Sequence, residues 1–320
     1  MILVVYSHVC SFCFGDSWMA FNDILFLLRL PAFFFISGLL FEPVRGTLAE
    51  VAVRKMRSQL LPTLIFLLLL APPPVFFSQL GATKGGYWFT FALFEFFMLY
   101  MLTGRRNARW GLAAALFISA AAYYYDACYN HSFRHIAWLR NTMGGLSFIT
   151  WRYYIFFFAG TVAKRHLCLF LKLTSKPFVL ATLATVFAAV AMTPRPTGVL
   201  TGYVWFVVGG QSGLFLLFTA FRAMAPVLTK VNFPGMCLQF IGRRTLDIYL
   251  LHYFLLPRFL LPYGEPLRSL HCIPAEAAIV LGLSLVVVAV CLLVSHFLRK
   301  SPFLARYLFG AQSSSASFLS

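Results

Sequence analysis

The sequence predicts an all-α, polytopic transmembrane helix bundle of about ten spans whose first helix is too short to cross a bilayer alone. Three observations lead there. Of 320 residues, 61% are hydrophobic and only 11% charged, and the mean hydropathy is +0.82. The apolar residues come in runs that approach the roughly 20 needed to cross the hydrocarbon layer, where every backbone group needs an internal partner and helices supply it. Alternation of polar and apolar residues is too sparse for an outer-membrane barrel, despite 37 Phe and 14 Tyr.

The runs fall at 1–14, 24–41, 60–77, 87–103, 111–125, 148–163, 178–193, 199–221, 240–257 and 275–298. The first carries Ser7 and His8, and a histidine in such a segment is the feature to explain. Ionisable groups in the bilayer face a cavity or partner and mark functional paths, whereas a residue at the outer interface can simply bond water. Both readings of His8 fit its spacing. The second run carries Arg29, either a functional cation or a side chain snorkelling to headgroups, and then Ser37 and Gly38, small residues that admit a neighbouring helix.

Pro72, Pro73 and Pro74 should break the third run by removing backbone donors. The fourth opens on Tyr87 and Trp88 at an interfacial position. Between 126 and 147 lies the longest polar interval, with His131 and His135 at i, i+4 and a glycosylation triplet, Asn130 to Ser132. No acidic partner accompanies the histidines in the H-E-x-x-H manner, so no metal site is expected. Glycines 202, 209, 210 and 213 in the eighth run read as close helix packing. The ninth begins with Arg243 and Arg244 and contains Asp247, Tyr249 and His252. Asp247 and His252 are five apart, roughly 140° around a helix, so they do not form a dyad with each other. Asp247 is expected to hold an arginine, and His252 to line a tunnel or bond a neighbouring helix.

The net charge of +17 does not indicate nucleic acid, because the basic residues sit in short blocks between apolar runs. The blocks occupy alternate links: Arg45, Arg54, Lys55 and Arg57; Arg105, Arg106 and Arg109; Lys164, Arg165, Lys172 and Lys176; Arg222, Lys230, Arg243 and Arg244; Arg299, Lys300 and Arg306. By the positive-inside rule both termini are cytoplasmic. The seven cysteines are scattered, and Cys10 and Cys13 have CxxC spacing without a second pair, so apolar filler is the expected role. No basic n-region or A-x-A exit marks a cleavable signal. Residues 1–310 are expected to form one membrane-embedded domain, with a disordered Ser-rich tail at 311–320.

Taken in order, 3–9 (LVVYSHV), 30–40 (LPAFFFISGLL), 54–62 (RKMRSQLLP), 86–89 (GYWF), 154–165 (YIFFFAGTVAKR) and 241–254 (IGRRTLDIYLLHYF) resemble acyltransferase family 3, the integral-membrane O-acyltransferases that include fucose 4-O-acetylase-like proteins. The resemblance implies a ten-helix bundle that moves an acyl group, commonly acetyl, from cytoplasmic acyl-CoA to a hydroxyl of a glycan or its lipid-linked precursor, in a bacterial cytoplasmic membrane. It places the essential family histidine on His8. Family members usually begin earlier, with an Asp and a basic residue upstream on the first helix; Met1 lies too close to His8 for those partners, and the first helix is expected to be truncated.

A sugar hydroxyl must lose its proton as it attacks a thioester, and imidazole has the ordinary pKa best matched to that task, so His8 is the expected general base. The phosphates of CoA need cations outside hydrocarbon: Arg54, Arg57, Arg243 and Arg244 are the candidates, with ordinary positive-inside charge the alternative for all four. Arg29, Trp88, Asp247 and His252 are candidates for the substrate path, with no permanently bound cofactor. Besides the sugar acceptor, the expected partners are membrane lipids, and not nucleic acid. A polysaccharide or precursor transporter of the same fold would also use broken helices, buried ionisable residues and glycines, but no internal repeat favours it. A scaffold without chemistry is a third reading.

Overall fold

A computed structural model describes residues 1–16, 19, 21–41, 47–71, 75–76, 84–104, 107–129, 135–229 and 231–311. Arg45, Pro72 to Pro74, Arg105, Arg106, Asn130 to Ser132, Lys230 and the tail beyond 311 lie outside the described residues. With His131 among them, the His131–His135 pair has no geometry to report.

Among the described residues the chain is all-α. The helices are α1 Ile2–His8, α2 Asn22–Leu39, α3 Leu48–Lys55, α4 Leu61–Leu70, α5 Trp88–Thr103, α6 Ala108–Cys128, α7 Ala137–Gly145, α8 Tyr154–Arg165, α9 Leu167–Leu173, α10 Pro177–Met192, α11 Val199–Met224, α12 Phe233–Arg243, α13 Thr245–Leu255, α14 Gly264–Arg268, α15 Ile273–Leu298 and α16 Pro302–Phe309. Helices α11 and α15, of 26 residues each, are long and apolar enough to cross a membrane, spanning about 39 Å at 1.5 Å per residue. Ile2–Cys13, Ile24–Leu39, Trp88–Thr103 and Pro177–Met192 are shorter apolar helices. This is a membrane protein.

The chain divides into two compact units, Met1–Arg29 with Ala223–Ser320, and Leu30–Arg222. In the first, α1 and α13 both pack on α15. The buried residues of α15 include Val280, Ser284, Val287, Val288, Cys291 and Ser295, a three-and-four spacing that makes one stripe along the helix. Val5, Val9 and Cys10 near α1 and Ile248 and Leu250 on α13 are wholly buried. Helix α1 continues through a wider turn, Val9–Cys13, and the chain leaves it at Gly15, φ +74°, a conformation that costs glycine little. A Cβ on Gly264 would lie 2.0 Å from the Phe14 carbonyl oxygen, so the exit of this helix meets α14 backbone to backbone.

The second unit has an aromatic core. Phe34, Phe35, Phe96, Tyr153, Tyr154, Phe156, Phe157 and Phe158 are essentially inaccessible. Gly38 and Gly160 hold α2 against α8: a Cβ on Gly38 would fall 2.0 Å from Phe157 O, and one on Gly160 2.1 Å from Phe35 O. Gly38 thus provides the close approach expected of it. Thr47 and Glu50 form a reciprocal capping box at the start of α3, which satisfies donors that a helix start leaves open.

Several sequence expectations are corrected. The run at 240–257 is two helices broken at Arg244, φ −106°, ψ 18°. The Thr245 hydroxyl donates to Gly242 O at 2.9 Å, taking a carbonyl that a continuing helix would use, while the Arg244 side chain turns to Asp247. The run at 148–163 opens instead as a tight turn of helix, Phe148–Tyr153, after Ser147 at φ +50°. The basic stretch after it is helical in part: α9 follows at a bend of 103°. The fifth run, 111–125, is the core of a longer helix, the 21-residue α6.

Candidate active site

His8 ends α1, and the first unit brings it beside a pair of residues on α13. The His8 and His252 ring centroids are 5.1 Å apart, and His8 and Tyr253 5.0 Å. The His8 Nε2 lies 3.4 Å from the Tyr253 hydroxyl, too long for a strong bond and near the distance at which a substrate oxygen would have to arrive. Phe12, one turn along, stacks on His8 at 5.6 Å and carries the Arg258 guanidinium on its own ring at 5.7 Å. His8 is half-buried; Tyr253 is buried and His252 is wholly inaccessible.

The setting of His252 fixes its chemistry. Its Nδ1 lies 2.7 Å from the Tyr249 carbonyl oxygen and 3.1 Å from that of Ile248. Carbonyl oxygens only accept, so Nδ1 carries the proton and Nε2 the lone pair. That Nε2 is buried with no hydrogen-bond partner among the described residues.

One and a half turns earlier, about 7.5 Å along the axis, Asp247 anchors the same helix. Its side chain is 1% exposed. It accepts from Arg299 Nε at 2.7 Å and Nη2 at 2.6 Å, from Arg244 Nη1 at 3.3 Å and from the Ser295 hydroxyl. Asp247 thus holds arginine at the head of α13, and its strongest partner sits just past the end of α15. Both placements suit the helix dipoles, an anion at a first turn and a cation at a last.

The other predicted residues have their own surroundings. Arg243 is exposed on the last turn of α12. Arg29, half-buried, donates to the Asn22 side-chain oxygen and lies over Phe26. In the second unit, Arg54 and Arg57 are exposed on α3 and the turn after it, and half-buried Trp88 stacks with Tyr153 at 6.4 Å. Cys10 and Cys13 are buried free thiols.

Sequence reasoning missed Tyr253, Ser295, Arg299 and Glu95. Glu95 carried a readable signal, being a carboxyl inside an apolar helix; it accepts from Trp151 Nε1 at 2.7 Å. Lys84 is 3% exposed and donates to Gly144 O and Gly145 O, 3.0 Å each. Burial lowers its pKa, opposed by Glu95.

A helical membrane protein that places two imidazoles and a phenol together where three helices meet has the parts for proton transfer inside a bundle. The acyltransferase-domain family, acyltransferase family 3, matches residues 1–296, and the chain belongs to it. Neither a curated protein nor a solved structure matches the chain.

Proposed function

We propose that this membrane acyltransferase moves an acetyl group from cytoplasmic acyl-CoA to a hydroxyl of a cell-surface glycan or its lipid-linked precursor, with His8 as general base. The observation that carries the reading is the His8 Nε2, which among the described residues meets a long contact to Tyr253, set in a family whose members transfer acyl groups. The acceptor oxygen attacks the thioester carbonyl carbon, its proton passes to His8 Nε2, the carbon–sulfur bond breaks, and the proton returns to the departing CoA sulfur. Positioned base catalysis of this kind is worth about 10² to 10⁴ in rate.

Arg54, Arg57, Arg243 and Arg244 are the proposed cations for the CoA phosphates, with Arg243 the least engaged within its unit because Arg244 is turned to Asp247. Arg29, Trp88, Asp247 and His252 belong to the substrate path or its support. The alternation of basic blocks supports both termini inside, and the family resemblance supports a bacterial cytoplasmic membrane.

The test is acetyl-CoA turnover by purified protein, followed as free thiol and as ester formed on added acceptor. His8→Ala is expected to lose about a hundredfold or more. Equal rates in wild type and His8→Ala remove His8 from the chemistry.

A further inference from the structure

The head of the helix that carries His252 is held by Asp247, through Arg299 and Ser295. The His252 ring is inaccessible, its Nδ1–H is spent on the carbonyls of Ile248 and Tyr249, and its Nε2 has no hydrogen-bond partner among the described residues. A buried acceptor without a donor is destabilising, and a well-packed apolar side chain would avoid that cost. The ring centroid is 5.1 Å from that of His8.

We infer that His252 Nε2 is an acceptor-binding group that takes a hydrogen bond from a second hydroxyl of the substrate, and that the site selects alcohols with two adjacent hydroxyls. The inference rests on the reading of His8 as base. A lone pair can recognise only a donor, and the tautomer held by the helix carbonyls leaves His252 no proton to offer at Nε2. A hydroxyl supplies that donor, whereas a carboxylate, phosphate or ether oxygen does not. One hydroxyl goes to His8 to be deprotonated. Its neighbour on a sugar ring lies closer to the first oxygen than the two imidazoles lie to each other, so both can be engaged at once. A single alcohol of the same size leaves Nε2 without a partner, which is how a buried polar group rejects an analogue.

The probes are cis-1,2-cyclohexanediol and cyclohexanol, compared as acceptors by kcat/KM for ester formation from acetyl-CoA in wild type, His252→Leu and His252→Gln. Wild type is expected to prefer the diol by about ten- to a hundredfold. His252→Leu should bring that ratio to near one, and His252→Gln, whose amide oxygen can still accept, should retain part of it. A merely structural role would lower both rates and leave the ratio alone. A ratio near one in wild type, or a wild-type ratio surviving in His252→Leu, overturns the assignment; should the Leu variant not fold, a ratio in His252→Gln below wild type's supports it and one equal to wild type's overturns it. Ester formation with neither probe, together with equal thiol release by wild type and His8→Ala, fells the parent reading and this one with it. Ester formation with both at equal efficiency fells the diol assignment alone.

Discussion

Removing the carboxylate of Asp247 should be among the most damaging single changes in the first unit, and its cost can be worked from the contacts. Asp247→Ala deletes an acceptor that is 1% exposed and leaves two guanidinium groups, Arg299 at 23% and Arg244 at 26% exposure, without it. Breaking a fully buried ion pair costs about 3–5 kcal/mol. Because both arginines retain some access to water, the lower end applies, about 3 kcal/mol, or roughly a hundredfold in the folded-to-unfolded ratio. Asp247→Asn keeps the shape and one acceptor but loses the charge, and should cost about half as much. The double variant Asp247→Leu/Arg299→Met removes both partners and replaces them with apolar volume, so it should recover to within about 1 kcal/mol of wild type if Arg244 reaches water. The measurement is reversible unfolding in detergent micelles, read as a double-mutant cycle. Asp247→Ala as stable as wild type, or no coupling between positions 247 and 299, would refute the assignment of this pair as the anchor of α13.

Gly38→Ala and Gly160→Ala each drive a Cβ to about 2 Å from a backbone oxygen of the facing helix and should cost about 2–3 kcal/mol, whereas Gly282→Ala, with nothing within 4 Å, should be neutral or stabilising; equal melting shifts at the three sites would contradict the packing of α2 on α8. Burial against the Phe97 ring, 4.0 Å from Nζ, and then the charge of Arg54 lower the Lys55 pKa to about 8. The folded chain therefore binds fewer protons than the unfolded one between about 8 and 10.5, so this group's penalty is full below that window and fades as pH rises through it; amine-labelling rates at Lys55 should inflect near 8, and an inflection above 10 would count against the contact. Lys84→Met removes both bonds to the end of α7, and hydrogen exchange at 137–147 should quicken if that tie holds the segment.

Apolar run length and the near-absence of charge established an all-α membrane protein before any contact was known, because each residue's transfer free energy into hydrocarbon is its own property and adds along a window. The ordered phrases around His8, Gly38 and Asp247 likewise marked the family, and Gly38 carried its packing role in its lack of a side chain. Where the chain breaks was less readable. The turn at Arg244 depends on an arginine being drawn to Asp247 and a threonine hydroxyl capping a carbonyl, a balance that hydropathy does not register. Least readable were the pairings: Arg299 with Asp247 across 52 positions and His8 with Tyr253 across 245. Periodicity says which residues share a face of one helix. Which faces meet is decided only when α1, α13 and α15 pack, and that packing is what set His8 beside Tyr253 and Arg299 on Asp247.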